Sequence, residues 1–258
     1  MPSPVPFQPA QAVPFINALR SRKPVVHCIT NDVVQAFTAN ALLAVGAVPA
    51  MIVAEEEAGE FAAMADAMLA NIGTIHRNTA QSMLLATAAA HKNQKPWVLD
   101  PVAVGLLAYR AGVADQLLQN HPAAIRGNAS EILALAGQSS SAKGPDSLDE
   151  TSSAHDAADE LAIRYQTIVA LTGEVDFITN GRESLSVHGG HVNLTRITGA
   201  GCALSGIVAA FLGCNNTDRL GAVAAACQMM KTAGQDASRH AGLGSFAVAL
   251  MDSLSLQG

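Results

Sequence analysis

Along the chain, short apolar runs alternate with longer stretches in which apolar positions recur every three to four residues. The runs have the length of buried strands, and the stretches have the period of amphipathic helices. The pattern predicts a helix over 10–22, a strand over 24–29, a helix over 31–45 and a strand over 48–53. Thr30 or Asn31 would cap the second of these helices and Gly46 would end it. A helix over 56–67, with acidic residues in its first turn, and a strand over 68–72 follow. Next come a helix over 77–91, a strand over 96–99, a helix over 106–120, a strand over 123–126 and a helix over 128–136. Residues 138–153, rich in Ser, Gly, Pro and Asp, predict a mobile surface loop. A helix over 154–165 and a strand over 167–171 lead into 176–179 and 184–187, a hairpin turning at Asn180-Gly181. Helices over 201–212, 218–240 and 245–254 end the pattern.

Such alternation argues for a mostly parallel sheet covered by helices on both faces. In folds of this kind ligands bind at the carboxyl ends of the strands. The length of 258 residues suits one large α/β domain. Half of the residues are hydrophobic and aromatic residues make up only 4%, so the core must close through Ala and Gly. The net charge of −6, with no basic stripe, lacks the usual footprint of a nucleic-acid binder. Residues 36–54 are apolar enough to suggest a membrane span. Thr38, Asn40, Gly46 and Pro49 interrupt them, so a helix followed by a buried strand is expected instead. The proline-rich first ten residues do not read as a signal peptide. Cys28, Cys202, Cys214 and Cys227 form no Cys-x-x-Cys pair. Reduced thiols in a cytoplasmic protein are the expectation, with Cys214, Cys227, Met229 and Met230 in the core.

Polar residues gather where the predicted strands end. Thr198-Gly199-Ala200-Gly201-Cys202 opens a helix. Two glycines leave its backbone bare, and the helix start offers N–H groups and the positive end of its dipole to an anion. A tight strand–helix turn would use the same residues. Arg126 is a fork of donors that matches phosphate, and Asn128-x-x-Glu131 puts a carboxylate one helical turn on. Asn128 with Glu131 could equally be only a capping box. Asp100 is a second carboxylate at a strand end, and Mg²⁺ in phosphoryl transfer is commonly held by one or two carboxylates. His188-Gly189-Gly190-His191 is expected to be an exposed turn rather than a metal pair.

These motifs resemble one family. His27-Cys28-Ile29-Thr30-Asn31, Phe37-Thr38-Ala39-Asn40, Asp100-Pro101-Val102-Ala103-Val104-Gly105, Arg126-Gly127-Asn128-Ala129-Ser130-Glu131, Thr172-Gly173-Glu174 and Thr198-Gly199-x-Gly201-Cys202 are similar, in order and spacing, to hydroxyethylthiazole kinases. That family belongs to the ribokinase-like superfamily. The resemblance runs from about residue 10 to the end, with Ala200 where Thr is common and a long segment over 138–153. It implies a ribokinase-like three-layer α/β/α fold. The implied activity is ATP-dependent phosphorylation of the hydroxyl of 4-methyl-5-(2-hydroxyethyl)thiazole, a step toward thiamine. By resemblance, Met51, Gly199 and Asn31 contact the thiazole alcohol, Arg126 and Thr172 contact ATP, and Gly199, Ala200 and Gly201 form the anion-hole loop. Glu131, Asp100 and Asn128 match the magnesium motif, and Cys202 stands where most of the superfamily has an aspartate base. A homotrimer with sites at subunit interfaces is implied too. A helix start lowers a thiol pKa, which would favour Cys202 as a base, but a loose phosphoryl-transfer transition state needs little base strength. The alternatives are an NAD(P)H-hydrate dehydratase of the same fold, which carries Asp at the position of Cys202, and a non-catalytic sensor.

Overall fold

The computed structural model describes residues 3–138, 148–215, 217–239 and 242–257. In chain order the elements begin with β1 (Val5–Pro6), α1 (Pro9–Arg22), β2 (Val25–Ile29), α2 (Gln35–Val45), β3 (Val48–Ala50) and α3 (Glu55–Met64). They continue with β4 (Ala67–Asn71), α4 (Arg77–Lys92), β5 (Trp97–Asp100), α5 (Ala108–Leu118), β6 (Ala124–Gly127) and α6 (Ala129–Leu135). Then come α7 (Leu148–Tyr165), β7 (Ile168–Leu171), β8 (Asp176–Thr179), β9 (Ser184–Val187) and a short 3-10 helix over Val192–Arg196. Helices α8 (Ala200–Cys214), α9 (Arg219–Ala237) and α10 (Leu243–Leu256) follow.

The strands form one sheet in the order β1-β9-β8-β7-β6-β5-β4-β2-β3. Strands β3, β2, β4, β5, β6 and β7 run parallel, and β8 and β9 add an antiparallel hairpin beyond β7. Successive strand residues serve opposite faces, as the pleat requires. Val26, Leu69, Val98, Ala124 and Ala170 join a core shared with α1, α2, α8, α9 and α10. Met68, Leu99, Ile125 and Val169 join the core on the other face, under α3, α4, α5, α6 and α7. Both faces of the strands are buried, which explains their unbroken apolar runs. All parallel strands therefore point their carboxyl ends at one edge of the sheet.

Several predicted boundaries move, for identifiable reasons. Helix α2 starts at Gln35, not at residue 31, because the buried Asn31 side chain bonds to Asn71 and Cys202 instead of capping a helix. It does end at Gly46 in the left-handed region, as expected (φ +95). Helix α3 stops at Met64, and Ala67 belongs to β4. Between them Asp66 accepts the Val25 N–H at 2.8 Å, which turns the chain into the sheet. Helix α7 starts at Leu148, so the expected loop over 138–153 is helical at its far end. Exposed Thr151, Ser152 and Ser153 hide that start, while Ala154, Ala157 and Ala158 are buried and carry it. Residues 139–147 of that expected loop, and His240 of the expected helix over 218–240, lie outside the described residues. The two-residue edge strand β1 and the 3-10 helix carry no pattern long enough to predict.

Helix α8 begins at Gly199, whose φ of +94 lies in the left-handed region. A Cβ there would sit 2.7 Å from Val34 Cγ1. Gly112, inside α5, has nothing within 4 Å of such a Cβ. Gly199→Ala is therefore expected to destabilise the protein by about 1–3 kcal/mol. Gly112→Ala is expected to stabilise it by about 0.4–1 kcal/mol through the unfolded chain. Urea unfolding of the two variants checks both signs.

Candidate active site

Five strands deliver polar groups to one edge. Asn71 ends β4 and Asp100 ends β5, and the two are register partners in neighbouring strands. Asn71 Nδ2 donates to Asp100 Oδ2 at 2.6 Å. Ser205, one turn into α8, donates its hydroxyl to the same oxygen at 2.9 Å. Asp100 is fully buried, and its other oxygen, Oδ1, has no hydrogen-bond partner. Burial pushes its carboxyl up from 3.8 to about 6, against the opposing pull of the Arg126 charge, and the Glu131 charge adds to the rise.

Asn71 also faces β2. Its Oδ1 accepts from Asn31 Nδ2 at 3.0 Å and from the Gly73 N–H at 3.0 Å. Asn31 Nδ2 in turn reaches Cys202 Sγ at 3.4 Å. The sheet edge thus carries a continuous polar chain from Cys202 through Asn31 and Asn71 to Asp100. Burial raises the Cys202 thiol, and nearby Asp100 raises it further, which outweighs the hydrogen bonds from Asn71 and Asn31 and the pull of Arg126. The expected depression by the helix start does not win, so Cys202 is a neutral thiol at neutral pH.

On the other side of Asp100, β6 brings Arg126 beside the opening of α8. A Cβ on Gly201 would lie 2.7 Å from Arg126 Nη1, so only glycine lets the guanidinium rest against this backbone. Arg126 Nη2 donates to Thr172 Oγ1 at 2.6 Å, and Thr172 follows β7. The N–H groups of Gly201 and Cys202 lie in the first helical turn, where no helical carbonyl precedes them. Arg126, these amides and the positive end of the helix dipole converge on one spot, an arrangement of donors that has the chemistry to receive an anion.

Asn128 caps α6. Its Oδ1 accepts from Glu131 N at 3.0 Å and from Ser130 Oγ at 2.7 Å, and Glu131 Oε2 accepts from Asn128 N at 2.9 Å. The capping box is formed. It also fixes Glu131, whose other oxygen, Oε1, accepts the Ala103 N–H at 3.0 Å and so ties α6 to the segment after Asp100. Met51 follows β3, half-buried against the core. The next residue, Ile52, is held through its carbonyl by His27 Nε2 at 2.7 Å.

A model of the hydroxyethylthiazole kinase family matches residues 16–257. The hydroxyethylthiazole kinase of Yersinia enterocolitica is 53% identical over 249 residues, covering 96% of this chain and 95% of its own length. The chain belongs to the hydroxyethylthiazole kinase family. The solved structure of the hydroxyethylthiazole kinase protein from Pyrococcus horikoshii OT3 superposes with a TM-score of 0.86 at 38% identity, covering 95% of this chain and 92% of that one. A ribokinase-like superfamily protein from Enterococcus faecalis superposes with a TM-score of 0.68 at 14% identity, covering 98% and 96%, and shares the fold. The architecture is ribokinase-like, as the motifs led one to expect.

Every residue of the site lies inside the segment matched by the hydroxyethylthiazole kinase family. The structure brings Asn31, Asp100, Arg126, Glu131, Thr172, Gly199, Gly201 and Cys202 to the same edge of the sheet. His188 and His191 lie apart, exposed in a turn. The sequence pattern did not single out Asn71 or Ser205. Asn71 left one signal, a polar residue closing the fully buried strand AMLAN. Ser205 left none, since a serine inside an apolar helix reads as packing.

Asp100 makes stability depend on pH in a stated direction. Its folded-state pKa is raised, so its contribution is fully present below about pH 4 and is lost as pH rises through about 6. Without nucleotide or metal, Asp100→Asn is expected to gain stability over the parent between pH 4.5 and 7.5, by about 2 kcal/mol. Urea unfolding at the two pH values measures that difference.

Proposed function

We propose that this chain transfers the γ-phosphoryl group of ATP to the hydroxyl of 4-methyl-5-(2-hydroxyethyl)thiazole, giving the thiazole phosphate and ADP in thiamine biosynthesis. The observation that carries this reading is the Arg126 guanidinium lying against Gly201 at the opening of α8. An arginine fork, bare amides and a helix dipole together suit the charge that spreads over a phosphoryl group in transfer.

In this reading Gly199, Ala200 and Gly201 cradle the transferring group, and the alcohol oxygen lies beside Gly199. Asn31 and Met51 line the thiazole pocket, and Arg126 and Thr172 hold the nucleotide phosphates. The free Oδ1 of Asp100 and the carboxylate of Glu131 are hard oxygen donors that fit Mg²⁺, with Asn128 fixing Glu131. Among the described residues no group of three or more acidic, His or Cys side chains is set to hold a metal. Held by Asp100 and Glu131, Mg²⁺ would supply charge neutralisation on the phosphate oxygens.

Cys202 holds the alcohol end by hydrogen bonding rather than as a strong base, because its thiol stays protonated at neutral pH. The loose transition state asks for positioning first.

Strand β3 forms one edge of the sheet and brings Met51 close to exposed Val48 and Val53. This exposed edge supports association between copies, which the reading takes to be a homotrimer with sites at subunit interfaces; sedimentation at trimer mass checks it. A single continuous sheet supports one ribokinase-like domain. Free thiols at all four cysteines support a cytoplasmic setting. Among the described residues no helix is long and apolar enough to cross a membrane.

Incubation with ATP, Mg²⁺ and the thiazole alcohol is expected to release ADP only when the alcohol is present. ADP release that ignores the alcohol would defeat the reading. A required general base supplies about 10²–10⁴-fold, so Cys202→Ser is expected to keep kcat within about tenfold. Arg126→Ala and Glu131→Ala are expected to lower it by about 100-fold or more. A Cys202→Ser enzyme with no turnover contradicts this division of labour.

A further inference from the structure

Lys231 lies in the middle of α9 and is 6% exposed. Lysine is rarely buried unless its charge is paired. Its partner is Asp176, 3% exposed, with Nζ 3.1 Å from Oδ1. The same ammonium donates to the Gly173 carbonyl at 2.7 Å and to the Glu174 carbonyl at 2.7 Å. All three of its donors are thereby used. Asp176 Oδ1 also accepts the Gly173 N–H at 3.0 Å. Gly173 is gripped on both sides, its N–H by the carboxylate and its carbonyl by the ammonium.

The gripped segment is an exposed connection between β7 and β8, not part of the sheet. Gly173 directly follows Thr172, which bonds through its backbone N–H to the Gly127 carbonyl at 2.9 Å and through Oγ1 to Arg126. A continuous set of contacts runs from α9 through Lys231 and residues 173–174 to Thr172, Arg126 and Gly201. A buried ion pair kept only for stability is commonly matched by an apolar pair of similar volume. An apolar pair could not hold two loop carbonyls.

We infer that Lys231, with Asp176, is a positioning residue for the nucleotide: its buried ammonium fixes the connection after β7 so that Thr172 holds the Arg126 guanidinium against the opening of α8. Both side chains are buried and spent on protein partners, and the inference rests on reading Arg126 and Thr172 as nucleotide contacts. Loss of the ammonium frees the loop carbonyls and leaves Thr172 anchored on one side only, by its bonds to the Gly127 carbonyl. ATP binding then suffers, while the thiazole pocket, built from β2, β3 and the start of α8, keeps its shape.

The test is steady-state kinetics with ATP and the thiazole alcohol varied separately. Lys231→Met alone strands the buried Asp176 charge and can fail to fold. In Lys231→Met/Asp176→Asn no charge is left unpaired, and the Asn oxygen still accepts the Gly173 N–H. Cooperative thermal unfolding establishes that this double variant is folded. Its KM for ATP is expected to rise about tenfold, with KM for the alcohol within about twofold. A folded double variant with unchanged KM for ATP, or with both KM values raised alike, overturns the inference. Arg126→Ala separates the two layers. If it raises KM for ATP while the double variant does not, only the role of Lys231 fails. If it leaves KM for ATP unchanged, the nucleotide assignment beneath fails as well.

Discussion

Helix α8 can begin where it does because Gly199 has no side chain. At φ +94 the chain leaves the 3-10 segment, passes Val34 and enters the helix, and a methyl group at that point would meet Val34 at 2.7 Å. The rest of the site depends on that entry. It sets the first-turn amides at the edge where the parallel strands end. It leaves Gly201 against Arg126, and it puts Cys202 within reach of Asn31 and Ser205 within reach of Asp100. The parallel pairing of β2, β4, β5, β6 and β7 already brings their carboxyl ends to one edge, and this backbone conformation adds the start of α8 to it.

The electrostatics of the edge follow from the same geometry. The chain carries a net charge of −6, yet at this edge one arginine, bare amides and a helix dipole gather local positive potential. Asp100 lies beside that site and is fully buried with one oxygen unmatched. A buried carboxylate in that state is unstable in its charged form, which is why its pKa rises to about 6. A cation carried in with the nucleotide would relieve it. The Asn71 and Ser205 hydrogen bonds hold the carboxyl group in place at this edge.

Much of this was readable in the amino-acid order. Buried parallel strands announce themselves as apolar runs, because both faces of each are covered, and the polar residues closing them fell where the ligand edge was expected. Arg126, Asp100 and the Gly199–Gly201 pair stood out as polar or bare positions at strand ends, and the structure places them at one edge of the sheet. Boundaries were less legible where a side chain serves the site instead of the local element. Asn31 looked like a helix cap and is instead a link in a polar chain, which delays α2 to Gln35. The expected depression of the Cys202 thiol failed because burial and a neighbouring carboxylate are tertiary facts that no local motif records. Asn71, Ser205 and Lys231 escaped notice for the same reason: each is an ordinary polar residue until the fold gives it a buried partner.

The proposed function requires phosphoryl transfer at the opening of α8. A crystal structure with Mg²⁺, a non-hydrolysable ATP analogue and the thiazole alcohol tests it most directly. The γ-phosphate is expected within hydrogen-bond reach of the Gly201 and Cys202 amides and of Arg126, with the alcohol oxygen beside Gly199. A γ-phosphate bound away from that helix start, with Arg126 still engaged only to Thr172, would contradict it.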